Sequence, residues 1–245
     1  MNLEKKTSYE IPELQNMQLD FSHDEIIKNL ENDDCEDFIK IFSILNLEKF
    51  NSLKEVELLF HHLTNHPTPI REVVALKIEE IYSDEYFSEN IKEQFLKSII
   101  DINPNVCRAI CNKISTSQKL KEELELCIVD KINQLLKEIK DNDEALGNFY
   151  DDASKIRKNH AKNKKLFSLY WYLESFSICM SKKTNSEALE IVKQTIKFND
   201  YTIREKTAKI LANIENVPNE LLKIANEDIN FYVKNQVYDK INFEE

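Results

Sequence analysis

Apolar side chains recur at three- and four-residue spacing along most of the chain, and short polar turns separate the runs. In the stretch from His66 to Tyr82, Ile70, Val73, Val74, Ile78 and Ile81 fall on one helical face, and Thr68 followed by Pro69 supplies an N-cap and a first helical residue. Before it, Val56, Leu59, Phe60 and Leu63 make another stripe, so the local unit is a helical hairpin. Capping-box spacings predict further helix starts at Ser22 with Glu25, Ser52 with Glu55, Thr184 with Glu187 and Thr202 with Glu205, and Asn103 with Pro104 opens one more. Phe38, Ile41, Phe42 and Leu45 predict a face on the helix within 33–47. A long helix is expected over Leu120 to Ile139, ended by a polar break at Asp141 to Asp143. A nearly all-apolar helix, and therefore a central one, is expected over Lys164 to Met180. Residues 1–20 lack this periodicity and read as an N-terminal arm, partly ordered at most, ahead of one domain over 21–245.

Laying the second helices of the hairpins over one another puts four sets of positions in one register. They are Ile70, Val74 and Ile78; Val106, Ile110 and Ile114; Ile203, Thr207 and Leu211; and Val233, Val237 and Ile241. A small residue follows the middle position in three of them, as Ala75, Cys111 and Ala208. Their spacing is roughly 30 to 36 residues, or about three times that across the middle of the chain, which is the period of a helical repeat.

The polar turn followed by a β-branched residue and Arg occurs from Asn65 to Arg71 and again at Asn199, Asp200, Ile203 and Arg204. This pattern resembles the HEAT-repeat family. Cys107 takes the Arg position in the unit at Val106, and Lys234 takes it in the last unit. The resemblance implies an all-α fold, an α-solenoid of about five to seven antiparallel helical hairpins in a right-handed superhelical stack. It also implies a polar ladder between neighbouring units, with Asn65, Arg71, Asp200 and Arg204 as its members. Proteins of this kind mostly bind other macromolecules along an extended surface, so the expected role is a protein-interaction module or adaptor without catalysis.

Composition narrows the chemistry. With one Gly and five Pro among 245 residues, tight hairpins and phosphate-cradling loops have almost no material, and no GxGxxG, GxxxxGK[ST] or GxSxG string occurs. No cofactor is expected. His61, His62 and His66 contain an i, i+4 pair without the further ligand and base of a HExxH site, and the Asp141 to Asp143 string lacks the rest of a calcium loop, so no metal is expected either. Five Cys residues form no CxxC pair and read as free thiols of a reducing compartment, with Cys107 and Cys111 packing as small hydrophobes. No apolar run of membrane-spanning or signal-peptide length occurs, so the expected location is the cytoplasm, with no membrane partner.

A net charge of −11 disfavours broad contact with nucleic acid. Against it stands a basic island in which Lys155, Arg157, Lys158, Lys162, Lys164 and Lys165 fall within eleven residues without an acid, close to Tyr170, Trp171 and Tyr172. One reading is a site, with Trp171, for phosphate, nucleic acid or an acidic partner segment. The other is a solvated linker between two helices. The alternative function is therefore nucleic-acid binding of the HEAT-like alkylpurine DNA glycosylase type.

Overall fold

A computed structural model describes residues 21–146 and 152–242, with side chains over 21–140 and 161–241, so the arm expected over 1–20 lies outside the described residues. These residues form α1 (His23–Glu31), α2 (Asp37–Asn46), α3 (Leu53–Asn65), α4 (Thr68–Ile81), α5 (Glu89–Ser98) and α6 (Pro104–Thr116). They continue as α7 (Gln118–Leu146), α8 (Asp152–Cys179), α9 (Asn185–Thr195), α10 (Tyr201–Asn213), α11 (Asn219–Asn226) and α12 (Phe231–Asn242). Short 3₁₀ turns lie at Asp84–Tyr86 and Lys182–Thr184, and no strand occurs among the described residues. None of the helices is long and apolar enough to cross a membrane.

Each helix packs against its sequence neighbour to make six consecutive pairs, from α1 with α2 to α11 with α12. Contacts between pairs run in two rows. The odd helices touch in the order α1, α3, α5, α7, α9, and the even helices in the order α2, α4, α6, α8, α10, α12. The core lies between the rows. It contains all of the register positions named above except Ile241, which is partly buried, together with Ala75, Cys111 and Ala208. A short helix pair cannot cover its own apolar stripe, so each pair completes its core against the next.

Local capping sets where the helices start. Ser22 and Glu25 form a full capping box, and Asn103 caps α6 with Pro104 in its first turn. At α3, Ser52 accepts from the Glu55 amide, but the Glu55 carboxylate turns to the Asn51 amide. Three expected caps shift. Pro67 rather than Thr68 occupies the N-cap of α4, leaving the Thr68 hydroxyl to accept from Arg71. Asp200 rather than Thr202 caps α10. Thr184 makes no cap bond, because its hydroxyl donates to the buried Glu125, which also accepts from the Ser181 amide and hydroxyl.

Two stretches differ more substantially from the sequence pattern. The polar break at Asp141 to Asp143 lies inside α7, and the basic island lies inside α8 and so is helical rather than a linker. Charged residues in a helix stop nothing while the backbone remains satisfied and no Pro intervenes. On α2, Phe38 and Leu45 are exposed while Lys40, Ser43 and Ile44 are buried. Apolar residues surround most of that helix, so its neighbours α1 and α4, and the Lys40 ammonium bond to the Asp33 carbonyl, choose the inward face.

Polar contacts fasten the even row at the C-terminal ends of its helices. Lys77 of α4 donates to the Leu45 carbonyl of α2 at 3.1 Å, and Lys113 of α6 donates to the Tyr82 carbonyl after α4 at 2.9 Å. Asn213 of α10 donates to the Ser177 carbonyl of α8 at 3.0 Å, and Lys240 of α12 donates to the Ala212 and Ile214 carbonyls. The last carbonyls of a helix lack intrahelical partners and carry partial negative charge, so an ammonium there satisfies both deficits. Replacing Lys113 with Met should therefore lower stability by about 1–3 kcal/mol, since it leaves the Tyr82 carbonyl without its partner. The exposed Lys97→Met control should change it by no more than about 0.5 kcal/mol in urea unfolding.

His62 ties α3 to α1. Its Nε2–H donates to the Leu30 carbonyl at 2.8 Å, while Nδ1 is buried without a partner. Burial, offset in part by that carbonyl, moves its pKa down to about 4. The unfolded chain thus binds a proton at this position that the folded chain refuses, and stability falls as pH drops from about 6.5 toward 4. Chemical denaturation across that window should show the loss, and His62→Gln should flatten part of the slope.

Candidate functional site

The outer side of the even row carries a groove of about 770 Å³ where α6, α8 and α10 meet. The face of α8 toward it repeats at helical spacing through Leu166, Phe167, Tyr170, Trp171, Glu174 and Ile178. Arg108, Cys111 and Asn112 of α6 form one wall, and Asp200, Thr202 and Lys206 at the start of α10 form the other. Asn112 also lines a second groove of about 740 Å³ over α2, α4 and α6, beside Leu45, Leu76 and Lys77. One continuous face therefore runs along the even row. A smaller pocket of about 270 Å³ extends the first groove past Leu166 and Asp200 toward Lys162 and Lys197.

The groove floor is an ion-pair cluster. Glu174 meets Lys209 at 2.7 Å and Lys206 at 3.1 Å, and Lys206 lies over the Tyr170 ring at 4.9 Å from its centroid. Burial pushes the Glu174 carboxyl up, but the two lysines outweigh it and leave its pKa below the ordinary carboxylate value. Burial likewise lowers Lys206, and Glu174, Tyr170 and Glu205 outweigh it, so its pKa ends above the usual lysine range. Tyr170 and Phe167 stand edge-on to Trp171, with ring centroids 5.2 and 6.3 Å away. Trp171 is 7% exposed and its indole N–H is buried without an acceptor.

The basic island divides along α8. The side chains of Lys155, Arg157 and Lys158 lie outside the described residues. Lys165 turns to α7 and pairs with Glu138 at 3.1 Å, Lys164 is exposed, and Lys162 lines the small pocket beside Leu166. Trp171 and Lys162 thus border connected parts of one groove, whereas Lys165 leaves it.

Among the four residues expected in a polar ladder, the two arginines reach forward to the next pair. Arg71 meets Asp101 at 3.5 Å, and Arg204 grips Asp228 through two N–H groups at 2.6 and 3.1 Å. Asn65 instead bonds His61 on its own helix, and Asp200 accepts from Thr202 as a cap. The partners belong to two copies of one local design, with Ile-Arg-Glu at 70–72 and 203–205 and Asp-Ile-Asn at 101–103 and 228–230. In both copies the Asp accepts from the Asn amide two residues on, and the Asn accepts from the amide two residues beyond that. Buried Glu72 adds bonds from Asn103 and Asn105. Cys107, at the Arg position, donates to the Asp101 carbonyl six residues back, as Arg204 does to the Phe198 carbonyl.

Cys111 and Cys179 are buried, and burial pushes both pKa values up to about 12. Among the described residues no three His, Cys, Asp or Glu side chains gather as metal ligands. No protein-family model matches the chain, and neither does any curated protein sequence.

Glu174, Arg108 and Lys206 escape a reading of charge runs because they come from three different helices and meet only through packing. The available signal is that Glu174 is the lone acid of α8 after Asp152. Glu174→Gln should cost about 1–3 kcal/mol by leaving two ammonium groups with a neutral partner. In that variant Lys206 loses the largest of the charges that raise its pKa, while Tyr170 and Glu205 still act on it. The parent chain, with Lys206 raised, should lose stability as pH passes the ordinary lysine value, and the variant should lose less over that range. Urea titrations at pH steps from neutral to alkaline distinguish the two slopes.

Proposed function

We propose that this chain is a small HEAT-like α-solenoid that acts as a protein-interaction module, with no catalytic chemistry of its own. Its six helical pairs, stacked in two rows, support that reading, as do the arginine pairs from Arg71 to Asp101 and from Arg204 to Asp228 that join neighbouring units. The observation that carries it is the continuous open face of the even row, where two grooves share Asn112. Side chains there mix apolar rings, aliphatic groups and both signs of charge, as protein-binding surfaces do.

The nucleic-acid alternative has less support. Trp171 is almost wholly buried, the Tyr170 ring face is covered by Lys206, and an acid lies in the groove floor. Bases stack on open ring faces, and the two best-placed rings of the groove do not offer them.

Immobilised full-length chain, incubated with extract of its native cells and analysed by mass spectrometry, should retain a specific protein. That protein should survive nuclease treatment and be lost when the chain is unfolded. Retention of nothing beyond the unfolded control, or retention abolished by nuclease, would overturn the reading.

A further inference from the structure

We propose that the groove between α6, α8 and α10 receives an acidic segment of a partner protein that carries an apolar anchor residue. This inference rests on the protein-interaction reading and names the chemistry of the partner.

Charge is the first argument. The chain as a whole carries −11, yet α8 carries six Lys and Arg against two acids. The two carboxylates lining the groove are already engaged. Glu174 is held by Lys206 and Lys209, and Asp200 is held by the Thr202 amide and hydroxyl at the start of α10. The cations at the rim are less committed. Arg108 is exposed and bonds through one nitrogen to Asn105 on its own helix, and Lys197 is exposed at the mouth of the adjoining pocket. An entering carboxylate therefore meets an exposed cation in the groove wall at Arg108 and another in the adjoining pocket at Lys197, and no unpaired acid among the lining residues.

Shape is the second argument. Between those ends lie Leu166, Phe167 and Tyr170, each partly exposed and packed on the core, so an apolar side chain can bury area there without displacing the ion pairs beneath. A peptide satisfies both features at once. A nucleic acid requires open ring faces, and Lys206 over Tyr170 and the edge-on contacts to Trp171 remove them.

A random peptide library displayed on phage, selected on the folded full-length chain, tests the assignment. Peptides recovered should carry several Asp or Glu around an aromatic or large aliphatic residue. In fluorescence anisotropy, replacing their acids by the amides should weaken binding about tenfold or more. The double variant Arg108→Glu with Lys197→Glu should bind at least about tenfold more weakly, with circular dichroism and melting unchanged. It should regain binding to the peptide whose acids are replaced by Lys, which separates lost charge from lost fold. Recovery of no binder, recovery of peptides without acids, or equal binding by the reversed variant would overturn the proposal. So would a labelled oligonucleotide, single- or double-stranded, that binds as tightly as the best peptide. If the extract partner is retained equally by the reversed variant, the interaction reading stands and the groove assignment falls.

Discussion

Four helices of the even row, α2, α4, α8 and α10, end on carbonyls that a side chain of the next even helix satisfies, and that requirement sets how the helices meet. Apolar burial supplies most of the attraction between helix pairs but is tolerant of sliding, because one aliphatic stripe fits another at several offsets. A buried lysine is not tolerant. Lys77 and Lys113 are nearly buried, and each donates a hydrogen bond to a carbonyl of the neighbouring segment, Lys77 while also paired with Glu80 at 2.9 Å. Both sit one residue before the last position of the apolar register, before Ile78 and Ile114, and Lys240 stands in the same relation to Ile241. The polar bond and the apolar register are thereby locked to each other, one unit at a time.

The other edge of the stack uses a different device for the same purpose. Where the chain turns into α6 and into α12, an Asp and an Asn two residues apart bind successive backbone amides, and an arginine from the preceding helix pair holds the Asp. The turn is thus built locally and placed by its neighbour. In the unit where Cys107 replaces Arg, the thiol still reaches the turn carbonyl but extends no charge to the next unit. At that same point α7 and α8 lengthen, to 29 and 28 residues. Among the described residues these two helices make the most extensive pairing, and α8 provides the central wall of the groove.

Most of the helices, the inward register and several caps were legible because they depend on neighbours within four residues, but the bounds of α7 and α8 were not. Ser22 with Glu25 and Asn103 with Pro104 are local bargains between a side chain and nearby amides, and the stripe from Ile70 to Ile78 needs only helical period. The exposed side of α2 was not legible, since Phe38 and Lys40 exchange their expected places once α4 and the Asp33 carbonyl are present. The groove was only half legible. A run of six cations is visible in one line of sequence, but its meaning turns on Glu174, Arg108 and Lys206, which are 32 to 98 residues apart and meet only through packing. The repeated Ile-Arg-Glu and Asp-Ile-Asn strings were visible too, and pairing them would have identified Asp101 and Asp228 as the arginines' partners.

The ion cluster at Glu174 explains how two lysines can be held together beneath this groove. Without Glu174, Lys206 and Lys209 would share this floor with no carboxylate between them, and Lys206 would keep only Glu205 and the Tyr170 ring beside it. With it, Lys206 stays protonated well past neutral pH and is held over Tyr170. The single acid therefore does not weaken the basic character of the site. It fixes two cations in position and leaves the exposed ones at the rim, Arg108 and Lys197, as the charges that an incoming segment first meets. A surface arranged in this way discriminates by sign at its edge and by apolar fit at its centre, and neither property depends on the net charge of the whole chain.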